Sequence, residues 1–248
     1  MRLIPILVSL AFLLLVSCKK EKEEEVPQPK AERPSLPLTN VAGTKATLQA
    51  TYFSTLQDSG ALGIITHFAG YGKALLHNLS DNQIATIRVK AELVPLFYKG
   101  NHFSNNPGSS QGIDFGSEII WEIDGTGNVP DFTKVLQDAV PEIGDINVGD
   151  SINRSEDLAL IIDQSHPLTN MRGSIDSVNY QLIGPKSSLR INTLWGDTVR
   201  LNPTQLQQLG KGQMYIQAEA YRQQMESFSG YTVAFVNKGV LLREVWLY

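Results

Sequence analysis

The stretch Met214–Tyr221, MYIQAEAY, alternates apolar and polar side chains along its whole length. This alternation predicts a half-buried β-strand, because successive side chains of a strand point to opposite faces. The same pattern recurs in other short runs that Gly, Pro, Asn and Asp separate: Ala46–Phe53, Ile84–Leu93, Ile119–Ile123, Val178–Ile183, Leu189–Trp195 and Tyr231–Val236. Many short strands with turn signals between them predict an all-β fold. We expect an immunoglobulin-like β-sandwich, built as one large module or two small ones.

Two local signals interrupt the strands of the carboxy-terminal half. Asn202–Gln205, NPTQ, supplies an N-cap, a proline at the first helical position and a glutamine at the third, which predicts a short capped helix near 203–209. Asn237–Gly239, NKG, predicts a hairpin loop between the strands Tyr231–Val236 and Val240–Tyr248, with glycine at a position of positive φ.

Composition bounds the domain organisation and the partners. The 248-residue chain has a formal net charge of −4 and no stripe of Lys and Arg, which argues against nucleic acid as a partner. Its single cysteine excludes an intramolecular disulfide and a cysteine-based metal cage. The segment Pro141–Gly144 predicts a boundary, with a β-rich amino-terminal module at 40–143 and a β-sandwich carboxy-terminal module at 144–248.

The amino terminus joins an apolar run to that cysteine. Leu3–Val16 is almost continuously apolar, but it is shorter than the roughly 20 residues that a membrane-spanning helix needs. It therefore predicts a secretion signal peptide at residues 1–17. Residues 18–39 are rich in Lys, Glu and Pro and poor in core-forming side chains, which is typical of a tether.

The residues Leu15, Val16, Ser17 and Cys18 resemble the lipobox of bacterial lipoproteins, with an aliphatic residue at −3, a small residue at −1 and the cysteine. In that family diacylglycerol is joined to the thiol, the peptide is cut before the cysteine, and the new amine is usually acylated, for example with palmitate. The resemblance implies a protein anchored in the outer membrane by a covalent lipid on Cys18, with no other cofactor. The membrane is then a partner through this anchor, and two or three acyl chains give firm attachment.

Three further stretches extend the resemblance. Glu23–Glu25 is similar to the acidic export signal of Bacteroidota lipoproteins, although a solvated spacer explains it equally well, so the periplasmic and cell-surface sides both stay open. Trp121–Phe132 and the half around Asp197–Leu201 resemble β-sandwich modules of uncharacterised Bacteroidota envelope lipoproteins. This likeness implies fold and location rather than an activity.

The sequence motifs that suggest a catalytic or metal-binding site are weak. Gly108–Gly112, GSSQG, has the spacing of a nucleophile elbow, but it follows a polar loop and no helix follows it, so we interpret it as a loop. Asp124 and Asn128 place oxygen ligands on alternate positions, as calcium loops do, but an EF-hand would need glutamate where Val135 stands. We therefore expect no metal site, with Asp124 and Asn128 as the weak candidates.

Aromatic side chains are candidate sugar platforms, since sandwich modules that bind glycans expose Trp or Tyr. Tyr215 and Tyr221 share a strand face with polar neighbours, and Trp246 lies on the last strand, so these three are the candidate glycan contacts. Trp121 and Trp195 alternate in phase with aliphatic residues and are expected in the core.

Taken together, these patterns favour a lipid-anchored outer-membrane lipoprotein with a non-enzymatic binding or structural role, whose partner is an envelope protein or a glycan. One alternative is a glycan-binding accessory lipoprotein of a polysaccharide-uptake system. A hydrolase whose acidic residues converge only in space is the remaining alternative.

Overall fold

The computed structural model describes residues 29–32, 34, 38–58, 64–77, 86–89, 94–98, 100–105, 112–137, 140–171 and 175–248. The expected signal peptide, the lipobox with Cys18 and most of the GSSQG motif lie outside these residues. No helix of the described part is long and apolar enough to cross a membrane.

The described residues form short and long strands with one short helix between them. The strands are β1 Ala46–Asp58, β2 Ile64–Leu76, β3 Thr86–Val89, β4 Val94–Tyr98, β5 Phe103–Ser104, β6 Ile119–Asp124, β7 Phe132–Leu136, β8 Ser151–Ile152, β9 Leu158–Leu160, β10 Ser177–Ile183, β11 Ser188–Thr193, β12 Val199–Leu201, β13 Gly212–Phe228 and β14 Tyr231–Leu247, and the helix is α1 Pro203–Leu209. The predicted all-β, sandwich-like fold with a short capped helix is confirmed.

The strands join into one large sheet and one small one. The large sheet has the order β11-β10-β13-β14-β1-β2-β5-β4-β3-β6-β7, with β8 paired to β14, and the small sheet pairs β12 with β9. At its centre β1 and β14 run parallel, with Ala46 opposite Val233 and Thr55 opposite Leu242. This pairing joins the amino-terminal and carboxy-terminal strands into one continuous sheet.

The hairpin predicted at Asn237–Gly239 is wrong, because these residues lie in the middle of the single strand β14. A Cβ added at Gly239 would overlap the carbonyl of Pro141, so the glycine permits the loop at Pro141 to approach the strand backbone. Lys238 is buried and ion-paired, and Asn237 is buried as well. Close packing rather than a turn therefore explains the glycine.

The true turn lies at Ser229–Gly230, where both residues have positive φ angles of 50° and 78°. Two successive residues with positive φ make the turn whose twist matches that of the flanking strands. Phe228 and Tyr231 are paired across it. The hairpin of β13 and β14 is consequently much longer than the alternation of the sequence predicts.

Apolar side chains collect in two main cores that share the central strand. Alternate residues of β14 enter both: Tyr231, Val233 and Phe235 pack in the first core, and Leu241, Val245 and Leu247 pack in the second. The first core also holds Trp121, fully buried as predicted, whereas Trp195 is only half-buried at the edge of the second.

The chain passes from one core to the other beside the predicted boundary segment Pro141–Gly144. Val140 belongs to the first core and Ile143 to the second. Arg243 of β14 binds the residues that follow Gly144. Its guanidinium donates to Asp145 Oδ1 at 2.6 Å and to the carbonyl of Ile146 at 3.0 Å. The two cores therefore meet where this loop crosses the sheet.

The helix α1 is fixed at its start by the predicted capping box. The Asn202 side chain accepts from the Gln205 N–H at 3.0 Å, and Gln205 Oε1 accepts from the Asn202 N–H at 3.0 Å. Leu206 and Leu209 then bury their side chains in the second core. The cap satisfies backbone donors that a helix start otherwise leaves unpaired.

Candidate functional site

A cleft with a volume of about 290 Å³ opens on the face of the sheet opposite the two main cores. We call it the polar cleft. Strands β10, β11, β13 and β14 form its floor, and the chain segment before β1 forms one wall. Its lining residues are Thr39, Asn40, Val41, Ala42, Asn179, Arg190, Glu219, Tyr221, Gln223 and Lys238.

Sheet register brings the floor residues together. Asn179 of β10 lies opposite Glu219 of β13, and Tyr221 of β13 lies opposite Lys238 of β14. Directly opposed residues point to the same face of a sheet. The intervening residues Ala218 and Ala220 point the other way and pack in the second core. Period-two alternation therefore gives β13 one apolar face and one polar face.

A buried ion pair lies on the cleft floor. Lys238 Nζ and Glu219 Oε2 are 3.1 Å apart, and each side chain is only 4% exposed. Gln217 Nε2 donates to the other oxygen, Glu219 Oε1, at 2.5 Å. Removing one member of such a pair typically costs about 3–5 kcal/mol, because the other charge stays buried and uncompensated. Both oxygens of this carboxylate are thus occupied by protein donors.

Asn179, beside this pair, has an unsatisfied polar atom. Its side chain is 6% exposed, and its Oδ1 has no hydrogen-bond partner among the described residues. A buried acceptor without a partner costs about 1–3 kcal/mol, and most buried polar atoms of folded proteins are paired. Asn179 is also one of the residues that line the cleft, so its unpaired oxygen is the polar atom there that a bound donor would satisfy.

The rim carries a cation and an aromatic ring. Arg190 of the edge strand β11 is exposed, and its guanidinium makes no hydrogen bond or ion pair with the described residues. Tyr221 is half-buried on the same side of the sheet. The cleft therefore combines two cations, Arg190 and Lys238, with the single carboxylate of Glu219.

The wall before β1 is fastened to the sheet by side chains of β1. The Thr39 N–H donates to Gln49 Oε1 at 2.7 Å, and the Val41 N–H donates to Thr47 Oγ1 at 3.4 Å. Val41 also packs against Ala234 and Val236 of β14. Polar residues of β1 thus hold the wall in place, while an apolar contact closes the space beneath it.

The sequence placed the tether at 18–39, but part of that segment is docked on the sheet. The Ala31 N–H donates to the Gln213 carbonyl at 3.1 Å, and the Gln213 N–H donates to the Pro29 carbonyl at 3.2 Å. Lys30 is paired in parallel with Gln213. The segment reaches β13 where β10 no longer covers its edge, since that pairing ends with Ile183 opposite Tyr215.

The three predicted glycan contacts do not form one platform. Tyr221 lines the polar cleft, whereas Tyr215 is six residues away on β13, opposite Glu244. Trp246, opposite Gln213, is near the same end of the sheet as Tyr215 and is half-buried. Only Tyr221 is therefore brought to the cleft.

The weak metal candidates lie far from the cleft in sequence and on another element. Asp124 ends β6 and Asn128 lies in the loop after it, and both are exposed. The Gly125 N–H in this loop donates to Asp131 Oδ1 at 2.6 Å. Within the described residues, no group of three or more His, Cys, Asp or Glu side chains is placed to hold a metal ion.

No sequence pattern predicted Asn179, Arg190 or Lys238 as site residues, and Glu219 was only one of the polar neighbours on the strand face of Tyr215 and Tyr221. The alternation in MYIQAEAY assigned Glu219 correctly to the polar face, but it carried no sign that the face is covered by the wall and by Lys238. Lys238 lies within Asn237–Gly239, the motif from which a turn was predicted. A charged residue within a long apolar strand is the signal that could have identified it.

Comparisons with known proteins add no relative. The chain matches no family model, and it has no significant match among curated proteins.

Proposed function

We propose that this chain is a non-enzymatic, lipid-anchored protein of the outer membrane that binds a ligand in the polar cleft. The observation that carries the binding role is Asn179, a buried residue lining the cleft, whose amide oxygen has no hydrogen-bond partner among the described residues. The lipobox-like residues Leu15–Cys18 support the anchor. The ligand is either a glycan or a segment of another envelope component.

The state of Glu219 supports binding rather than hydrolysis. Among the described residues it is the one carboxylic acid that lines the cleft, and its two oxygens already accept from Gln217 and Lys238. Glycoside hydrolysis by the common mechanism needs two carboxyl groups on either side of the scissile bond, one of them free to transfer a proton. An occupied carboxylate is better suited to fixing the geometry of a binding surface.

The position of one aromatic residue favours the glycan-binding alternative. Tyr221 is half-buried in the cleft, where its ring offers an apolar face beside hydrogen-bonding groups. This combination suits a sugar, which presents both C–H faces and hydroxyl edges.

The anchor is tested with Cys18→Ser and the control Ser17→Ala, which keeps a small residue before the cysteine. Because the chain has one cysteine, we expect a diacylglycerol thioether only at Cys18. Intact mass of the membrane-extracted protein should show a chain that begins at Cys18 and carries lipid. Cys18→Ser should lose incorporation of labelled palmitate and Ser17→Ala should keep it. Undiminished label in Cys18→Ser would disprove the anchor.

A further inference from the structure

The floor of the polar cleft offers a hydrogen-bond acceptor close to hydrogen-bond donors. Asn179 Oδ1 is an acceptor without a hydrogen-bond partner in the described part of the chain. Lys238 has one partner among the described residues, Glu219, so two of its three ammonium hydrogens are available. Asn179 lies opposite Glu219, the ion-pair partner of Lys238, so the amide and the ammonium both neighbour this carboxylate. A hydroxyl both donates and accepts, so hydroxyl groups satisfy both sides of this floor.

The rim adds a preference for negative charge. The exposed guanidinium of Arg190 presents a planar fork of donors, which matches the two oxygens of a carboxylate. A ligand with hydroxyl groups at one end and a carboxylate at the other meets both the floor and the rim.

Two other small charged ligands fit the cleft less well. An amino acid would bring an ammonium beside Lys238, and Glu219, the one carboxylate among the described residues that line the cleft, is already occupied on both oxygens. A phosphate would bring acceptor oxygens toward Asn179 Oδ1, which is itself an acceptor. Neither group satisfies the floor as hydroxyls do.

The size of the cleft limits the ligand to about one ring. Its volume of about 290 Å³ is just below the usual range for ligand sites, roughly 300–1,000 Å³. A single sugar ring with its substituents fits this space, and the half-buried ring of Tyr221 is available to contact a sugar face.

We propose that the polar cleft binds a hexuronate, a sugar ring that carries a carboxylate, with ring hydroxyls at Asn179 and Lys238 and the carboxylate at Arg190. This assignment rests on the binding role proposed above and names its ligand class. The same chemistry occurs in a free sugar acid and at the end of an acidic glycan.

The test uses the full lipidated chain in a detergent without sugar groups, titrated by calorimetry and saturation-transfer NMR. The probes are D-glucuronate, D-glucose, acetate and an oligogalacturonate. We expect glucuronate to bind roughly 3- to 10-fold more tightly than glucose, because one exposed charge-assisted contact adds a modest gain, and acetate to show no binding. The preference should shrink as salt is added. Tighter binding of oligogalacturonate identifies a glycan end as the ligand, and binding of glucuronate alone identifies a free acid.

Matched variants assign the contacts. Arg190→Ala should bind glucuronate and glucose equally, while the control Arg200→Ala, at an exposed arginine of β12, should keep the preference. Asn179→Val should lose at least tenfold in affinity for both sugars, with Asn179→Ser as a second variant and Asn147→Val, on an exposed loop, as the control.

The experiments distinguish a failure of the hexuronate assignment from a failure of the proposed binding role. Equal binding of glucose and glucuronate by the unaltered chain, or a preference that Arg190→Ala retains, would overturn the hexuronate assignment while leaving a binding cleft. If no probe binds in any arm, the hexuronate assignment and the binding role of this cleft both fall, and the anchor is still judged by the Cys18 variants.

Discussion

At the scale of a single residue, Asn179 tests whether a side chain of the polar cleft is kept for a ligand or for the stability of the fold. A residue kept for stability should make its hydrogen bonds, yet the Oδ1 of this buried side chain has none among the described residues. A residue kept for a ligand tolerates that cost until the ligand arrives. The two explanations predict opposite effects of removing the amide.

We expect Asn179→Val to raise the free energy of unfolding by about 1 kcal/mol, because it removes an unpaired polar group and places a good strand former in β10. Denaturant unfolding of the full chain measures this, with Asn147→Val as the control for the added methyl groups at an exposed site. A loss of stability in Asn179→Val with no change in the control would show that the amide supports the fold.

At the scale of elements, the long strand β14 organises the molecule. It is paired with β13 along its full length, with β1 in parallel and with β8 near its end. One surface of the strand serves two cores in turn, and Gly239 lies between them where Pro141 crosses. The close approach of this loop depends on the missing side chain at Gly239.

We expect Gly239→Ala to lower the free energy of unfolding by about 1–3 kcal/mol, because the new methyl group would overlap the backbone of Pro141. The matched control is Gly149→Ala, where an added Cβ meets only an ordinary contact with the Ser151 carbonyl at 3.7 Å. There the substitution should be neutral or stabilising by up to about 1 kcal/mol through the unfolded state. Equal effects in the two variants, measured by thermal unfolding, would contradict this packing.

Elements with strong local signals could be predicted from the sequence, and long-range approaches could not. The capping residues Asn202 and Gln205 fix α1 through neighbours three positions apart, so the sequence suffices for that helix. The alternation of apolar and polar residues likewise predicted the central parts of strands β1, β6, β10 and β13. The sequence pattern predicted a turn at Gly239 of β14. Glycine is needed there because the backbone of Pro141, a residue distant in the sequence, approaches closely.

The candidate site was less predictable than the fold for the same reason. Tyr221 was named because aromatic residues on a polar strand face are visible in the sequence. Asn179 and Lys238 become cleft residues only through the sheet register and the wall at Thr39–Ala42. No local sequence pattern reveals either feature.

At the scale of the whole molecule, the docked segment at residues 29–31 brings the sheet close to the proposed anchor. Pro29 and Ala31 are hydrogen-bonded to Gln213, so the chain between the proposed anchor and the sheet is no longer than the stretch from Cys18 to Pro29. The eleven residues from Cys18 span at most about 40 Å when fully extended. The anchored sheet would thus be held near the membrane surface rather than on a long tether.

Hydrogen exchange of the full lipidated chain, with and without D-glucuronate, tests most directly whether the polar cleft is the binding site. Ligand contacts there should slow amide exchange in the wall at 39–42 and in the floor strands β10, β13 and the middle of β14. Strands β3, β6 and β7, at the far end of the sheet, should exchange at unchanged rates. Protection confined to those far strands, or no protection anywhere at a saturating sugar concentration, would contradict the account.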